Sequence, residues 1–431
     1  MNNIIFRYSL ILSFSLLLFS VVQAAEVNEN DMFSSPDMVT EQIPQSKEAA
    51  PAQKKTIGFS GEITSAMVDV VSSTGAKNSL YTYSVANIFL DVRLQNDVKA
   101  FVNLETTYLS QRKATEVALR ELFFDFNYAR RIYFRTGKQV LQWGRCYLWN
   151  PTDLINIEKK PFVRKIGYRE GAYGMKFHAP FGTKYNIYGF VDTGNASYEE
   201  DIGGALKFEF LLGGTEMAFS GWAKNNYNGV FGYDVSSRIG DVDIAGEASA
   251  SYGDNTSHVR ERSGVLDIYK KTDEWIPRAS INLSKGFRVG NFNDRLTVTS
   301  EFFYNHTGYE DDIFGDKAVY AFSTPVGLAA SGTKREYLLG NGLYEPNYSS
   351  KYYGAIFLSL GRFITEDLTL NANYIRNCND GSGILSSGVT YKTLYDLSAG
   401  LLVNSYIGPR DAEYTYSGAK GDVQATFGIA F

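Results

Sequence analysis

Hydrophobic and polar residues alternate along most of this chain. The last nine residues show this most clearly, because Val423, Ala425, Phe427, Ile429 and Phe431 fall on one face of an extended strand. The same period of two recurs in four internal segments, at 98–108, 278–284, 295–304 and 368–374. An alternation of this kind predicts β-strands with one apolar face and one polar face.

Short and long connections mostly alternate between the predicted strands. The short ones lie at 95–97, 129–130, 180–182, 213–214, 239–240, 290–293, 365–366 and 392–396. The long ones lie at 72–79, 110–115, 141–170, 194–201, 225–228, 254–275, 306–351, 377–383 and 406–421. This asymmetry predicts an all-β fold over residues 55–431, a transmembrane antiparallel up-and-down β-barrel with short periplasmic turns and long extracellular loops. The count is 18 strands, or 16 if one hairpin is split in error. A β-sandwich, the alternative, would have mostly shorter strands and a solvated face rich in long charged side chains.

The N-terminal region differs from the rest of the chain. Arg7, the apolar run Leu10 to Val22 and the small-residue site at Ala24 predict a secretory signal peptide over residues 1–24. A retained membrane anchor is the alternative, but the apolar run is short for a membrane-spanning helix. Residues 25–54 are polar and contain three prolines, which predicts a disordered periplasmic segment.

Composition and charge restrict the function. The chain of 431 residues is 15% aromatic with a mean hydropathy of -0.21, as expected where polar lumen residues offset lipid-facing ones. Its net charge of -5 argues against nucleic acid as a partner. His178, His258 and His306 share no metal-ligand spacing, so no metal site is expected. Ser300 and Glu301 near His306 point to opposite faces of their strand, so no catalytic group, no enzymatic activity and no cofactor are expected.

These features together resemble Gram-negative outer-membrane porins over roughly residues 55–431. The resemblance implies passive diffusion of small hydrophilic solutes across the outer membrane, with lipid and lipopolysaccharide as surroundings. It also implies that Phe427, Ile429 and Phe431 form a C-terminal signal for the barrel-assembly machinery. The Trp143-Gly144 and Asn150-Pro151-Thr152-Asp153 pair is similar to a segment of poorly characterised outer-membrane barrels. The oligomeric state stays open.

The third long connection, 141–170, is the most distinctive of the nine. In porins the third extracellular loop folds into the lumen, so the resemblance implies that this connection is a constriction loop. Its basic residues predict a preference for anions, since cationic rings in a pore attract them. The candidates are Arg145, Lys159, Lys160, Arg164 and Lys165, with Arg135 on the neighbouring strand. Alternatively, the loop lies on the extracellular rim with its lysines solvated. Most other inward charges are expected to pair across strands.

Cys146 and Cys378 are the only two cysteines. Both fall in connections assigned to the extracellular side, in an oxidising compartment. A disulfide between them would tie the constriction loop to a distant connection, although the strands they follow are far apart around the barrel. Two free thiols are the alternative.

The longest connection, 306–351, is rich in tyrosine, which suggests a lid or binding loop. Its aromatic residues could stack on sugars or could form a folded cap, and the sequence favours neither. A rival function follows from this loop. In that reading the protein is a structural or surface-interaction barrel with a blocked lumen, whose long loops bind polysaccharide or a partner.

Overall fold

The computed structural model describes residues 56–72, 77–94, 97–155, 171–194, 196–323, 329–393 and 396–431. The predicted signal peptide 1–24 and polar segment 25–54 lie outside these residues. In chain order the strands are β1 (Thr56–Ser72), β2 (Ser79–Arg93), β3 (Lys99–Leu109), β4 (Ala114–Tyr128), β5 (Ile132–Gln139), β6 (Ala172–Phe181), β7 (Tyr185–Asp192), β8 (Gly203–Leu212), β9 (Thr215–Ala223), β10 (Val230–Ile239), β11 (Val242–Tyr252), β12 (His258–Arg262), β13 (Val265–Tyr269), β14 (Trp275–Val289), β15 (Phe292–Asn305), β16 (Tyr320–Ser323), β17 (Ala329–Gly332), β18 (Tyr352–Leu360), β19 (Leu368–Asn377), β20 (Gly383–Lys392), β21 (Leu397–Ile407) and β22 (Ala419–Ala430).

Eighteen of these strands form one closed antiparallel barrel, and β12, β13, β16 and β17 form a second, small sheet. The terminal strand β22 closes the barrel by pairing with β1, from Glu62 opposite Ala430 to Ser72 opposite Ala419. Two backbone hydrogen bonds, of 2.8 and 2.9 Å, join Gly61 to Phe431 beyond the last strand pair. Closure leaves the barrel without an unpaired edge. The predicted fold class and the count of 18 strands are confirmed.

The two ends of the barrel differ as predicted. Eight short connections lie at one end, called here the short-turn end, and each coincides with a predicted short connection. Nine connections, most of them longer, lie at the other end, the long-loop end, and these also coincide with the predicted ones. Two of the nine contain β12, β13, β16 and β17, which the period-two pattern did not reveal.

The outward face of the barrel is apolar and exposed. Phe59 on β1 is 64% exposed and Phe427 on β22 is 68% exposed, so the alternating apolar face of the last strand does point outward. Outward aromatic rings contact one another along neighbouring strands, with centroids 5.1 to 6.2 Å apart. This row consists of Tyr185, Phe208, Phe210, Phe219 and Tyr233. Such aromatic bands are typical of transmembrane barrels.

The connections 253–274 and 306–351 fold together into a structure that we call the cap. It contains the small sheet and one helix, α1 (Lys334–Gly340), which begins with a capping box between Thr333 and Glu336. Its apolar core consists of Val259, Leu266, Ile313, Phe314, Tyr337 and Leu338. Tyr309, Tyr320, Phe322 and Tyr344 pack against this core, so these aromatic residues form a folded cap. No helix of the described residues is long and apolar enough to cross a membrane.

Candidate constriction site

Residues 141–155, called here the lumen segment, cross the interior of the barrel. The segment leaves the wall after β5 and contacts β15 and β18, which lie opposite β5 in the ring of 18 strands. Trp149 is fully buried and stacks on Phe303, with ring centroids 5.6 Å apart and planes inclined by 7°. Its ring also lies 5.9 Å from Tyr353. The first half of the third long connection therefore lies inside the lumen.

Glu301 on β15 holds the middle of the lumen segment. Its carboxylate accepts hydrogen bonds from three consecutive backbone N–H groups, those of Tyr147 at 2.8 Å, Leu148 at 3.1 Å and Trp149 at 2.5 Å. Asn282 donates a further bond at 3.0 Å. Backbone donors in an irregular buried segment need acceptors, and here a wall carboxylate supplies them.

Glu247 on β11 holds the same segment at two further points. It accepts bonds from the backbone of Cys146 at 2.6 Å and of Thr152 at 3.1 Å, and from the Thr152 hydroxyl at 2.7 Å. Thr152 belongs to the turn Asn150–Asp153, which is closed by a 3.0 Å bond from the Asp153 N–H to the Asn150 carbonyl. A Cβ on Gly144 would lie only 2.7 Å from a Glu247 oxygen. The small residue at this position therefore permits the approach of the carboxylate.

Arg145 lies among wall carboxylates. Its guanidinium donates to Glu209 at 2.6 Å and also to Glu216 and Asp234. Lys207 lies 2.9 Å from Asp234 and donates to the Trp143 carbonyl at 2.6 Å. Two cations against three carboxylates leave this cluster acidic. The charge of Arg145 is thus compensated by the carboxylates around it.

The other predicted pore cations have different outcomes. Arg135 faces the lumen, but it forms a two-point ion pair with Asp125, at 2.7 and 2.9 Å, and lies 3.8 Å above the Phe123 ring. It therefore belongs to a paired wall, as expected for most inward charges. Residues 156–170 lie outside the described residues. The pore candidates Lys159, Lys160, Arg164 and Lys165 fall in this range.

Cys146 and Cys378 are both free thiols, which is the alternative to a disulfide between them. Cys146 is 1% exposed within the lumen segment, and burial raises the pKa of its thiol. Cys378 is exposed and lies against Gly354. Gly354 is on the same face of β18 as Ile356, whose exposed side chain points outward from the barrel. The barrel wall therefore separates the two sulfur atoms.

A second buried carboxylate, Glu413, joins the lumen segment to the long-loop end. It lies in the connection 408–418 and accepts hydrogen bonds from the hydroxyl of Tyr353 at 2.9 Å and the amide of Asn377 at 2.7 Å. The backbone N–H of Asn347 also donates to it at 3.2 Å, and the Asn347 carbonyl accepts from the Trp149 indole at 2.8 Å. Burial raises the pKa of Glu413 to about 7, and the nearby Asp380 acts in the same direction.

Sequence reasoning missed the carboxylates that hold the lumen segment. The register shows one signal that could have revealed them, since Asp234 and Glu247 stand directly opposite each other on β10 and β11. Like charges in that arrangement are unfavourable unless an outside donor lies between them. The period-two rule also failed to place Arg120 in the lumen. A bulge between β3 and β4 turns its side chain toward Glu105, with which it forms an ion pair. Among the described residues no group of His, Cys, Asp or Glu could hold a metal ion.

Solved structures share this architecture. Acinetobacter baumannii OccAB1 matches with a TM-score of 0.52 and 13% identity, over 87% of this chain and 96% of that one. Pseudomonas aeruginosa OccK2 (OpdF), solved in complex with glucuronate, matches with a TM-score of 0.51 and 10% identity, over 87% and 98%. Pseudomonas aeruginosa OccD3 (OpdP) matches with a TM-score of 0.50 and 11% identity, over 87% and 91%.

The chain has a porin-like outer-membrane β-barrel fold. The similarity to these structures is one of fold, since the sequence identities of 10 to 13% are low. No protein-family model matches the sequence, and no curated protein matches it.

Proposed function

We propose that this chain is an outer-membrane channel for passive diffusion of small hydrophilic solutes. The observation that carries the proposal is the lumen segment, which crosses the barrel and is held by two wall carboxylates, Glu247 and Glu301. A barrel of this size encloses an aqueous lumen, and a folded segment inside it sets the size of what passes. Export by the predicted signal peptide and assembly directed by Phe431 are parts of the same proposal.

Conductance tests the channel. Purified, folded protein in a planar bilayer should give discrete ion-permeable openings. A variant lacking residues 143–153 should fold with the same barrel and conduct several times more current, because the segment no longer narrows the lumen. Absence of openings from folded wild-type protein would contradict the proposal.

We further propose that the channel favours anions through Lys159, Lys160, Arg164 and Lys165. Arg145 does not contribute, because three carboxylates surround it. Support comes from the positive charge of residues 156–170 in a net negative chain. The glucuronate bound to OccK2 is an anion held in a protein of the same fold.

A salt-gradient reversal potential measures this preference. Changing Lys159, Lys160 and Arg164 to Glu should move the potential toward cation selectivity. The matched control changes the exposed Lys77, Lys113 and Lys270, at the long-loop end, to Glu. Charges at the rim act weakly because salt screens them beyond about 10 Å at 0.1 M. Equal shifts in both triple variants would place residues 159–164 outside the pore.

The second candidate is a surface-interaction barrel, which the folded cap favours. Its aromatic core and helix make it more than a simple connection between β15 and β18. In that case the barrel would hold the cap for a partner or a polysaccharide, and ions would not pass. The same bilayer recording separates the two functions.

A further inference from the structure

The lumen has two chemically different walls. Charged side chains face inward along β2 to β10, as in the pairs Arg135–Asp125 and Lys207–Asp234. The four neighbouring strands β18 to β21 contain only two charged residues. Of these, Arg376 pairs with Gly354 on the outward face, and Lys392 lies at the short-turn end. The lumen face of these four strands is therefore neutral, and we call it the neutral wall.

The neutral wall is polar although it is uncharged. Ser359 on β18, Asn371 and Asn373 on β19, and Thr390 on β20 are half-buried and alternate with outward residues such as Leu370. Amides and hydroxyls both donate and accept hydrogen bonds without a fixed charge. Such groups suit a solute that is itself rich in hydroxyls.

One exposed aromatic ring of the lumen segment stands beside this wall. Tyr147 is 51% exposed, whereas the neighbouring Leu148 and Trp149 are buried. Its ring meets the edge of Phe357 on β18, with centroids 4.8 Å apart and planes at 67°. Phe357 is opposite Asn373 in the register, so the Tyr147 ring and the Asn373 amide lie at the same level of the lumen. The 2.8 Å bond from the Tyr147 backbone to Glu301 fixes this position.

We propose that Tyr147 and the neutral wall form a binding subsite for a neutral polyhydroxylated solute, a mono- or disaccharide. A sugar ring offers a C–H face that packs on an aromatic ring, and a rim of hydroxyls that need both donors and acceptors. Tyr147 supplies the first surface, and Asn371, Asn373 and Thr390 supply the second. This inference rests on the proposed channel and names a solute class for its lumen.

Interruption of single-channel current by maltose tests the subsite. Maltose added to wild-type channels in KCl should block the current transiently and saturably. Tyr147→Ala should weaken this block roughly two- to tenfold, the range expected for one aromatic contact. Tyr147→Phe keeps the ring and should retain the block. Because alanine keeps the backbone N–H that binds Glu301, the segment should stay in place. The block is therefore measured relative to the open KCl current of each variant.

The control is Tyr198→Ala, which removes a 72% exposed tyrosine from the connection between β7 and β8. It should leave the maltose block unchanged. A wild-type channel that conducts KCl but ignores maltose would overturn the subsite and leave the channel standing. An unchanged block in Tyr147→Ala would do the same. If the folded protein gave no KCl conductance at all, the proposed channel and the proposed subsite would both be contradicted before any sugar is added.

Discussion

Trp149 of the lumen segment and Phe303 of the barrel wall stack with nearly parallel rings inside the barrel. In the sequence 153 residues lie between them. Phe303 is itself fully buried. The pair belongs to an apolar cluster with Tyr353, Phe357 and Tyr414, which come from β18 and from the connection to β22. This cluster fixes the middle of the segment on the wall opposite its origin.

Loss of this stack should release the lumen segment. Trp149→Ala removes the ring and its 2.8 Å bond to the Asn347 carbonyl, a change of the kind that costs about 3–5 kcal/mol in a core. We expect faster hydrogen exchange in residues 141–155 and noisier current, with the barrel intact. The control is Trp275→Ala, whose side chain is 55% exposed at the start of β14. Equal protection of the segment in both variants would contradict the anchoring role.

Glu301→Gln should destabilise the segment through its backbone bonds. Glutamine keeps one acceptor oxygen, but its amide nitrogen would face N–H groups of Tyr147, Leu148 and Trp149. Each bond to a charged acceptor contributes about 1.5–3 kcal/mol. We expect additional conductance levels and greater protease sensitivity near Trp149. Glu216→Gln, at a lumen carboxylate that is 54% exposed, makes the same substitution and should have a smaller effect.

The connection 408–418 should loosen as pH rises through 7. The pKa of buried Glu413, about 7, lies above its value of about 4.3 in an unfolded chain. Protonated Glu413 therefore stabilises the fold fully below the unfolded-state pKa. This stabilisation is lost as the pH rises through the folded-state pKa. The ionisable groups that face it are Asp380, Tyr344, Tyr353 and Tyr414. Hydrogen exchange of 408–418, corrected for intrinsic rates, should be severalfold faster at pH 8 than at pH 5.5.

Glu413→Gln should remove this pH dependence, since the amide does not titrate. Glu310→Gln serves as the control because Glu310 is exposed and its bond to Lys351 lowers its pKa, away from the tested range. A pH dependence that persists in Glu413→Gln would assign it to another group.

The two thiols should differ in reactivity. A maleimide should label Cys378 in the folded protein and reach Cys146 only after unfolding, because Cys146 is 1% exposed. Mass spectrometry of labelled peptides measures both. Electrophoresis with and without reductant should show the same mobility, and a reductant-dependent shift of the monomer would restore the disulfide hypothesis.

The C-terminal residue offers a test of assembly. The ring centroids of Phe431 and Phe59 lie 6.3 Å apart. A side chain on Gly61 would collide with the Phe431 ring, so the glycine leaves the space that this ring occupies. Phe431→Ala and Phe59→Ala both remove that ring contact, but only the first alters the terminus. If the terminal phenylalanine acts as an assembly signal, Phe431→Ala alone should lower the amount of folded barrel in membranes, measured by heat-modifiable mobility. Equal losses in both variants would indicate local packing instead.

The alternation of apolar and polar residues determined most of the barrel. A few neighbouring residues are enough to assign each side chain of a strand to one face or the other, because side chains alternate with a period of two in any extended chain. The same local pattern placed Phe427 and Ile429 outward and located every turn of the barrel. Where a bulge interrupts the period, as at Arg120, the local rule failed.

The lumen was decided by tertiary structure alone. Residue types predicted that 141–170 carries positive charge, but they did not show that Arg145 lies among three carboxylates from β8, β9 and β10. Contacts such as Glu301 with Trp149 join parts of the chain more than 150 residues apart. They depend on strand register and on which wall stands opposite which, and closure of the whole barrel sets both. Only the closed ring brings the lumen segment against the carboxylates that hold it.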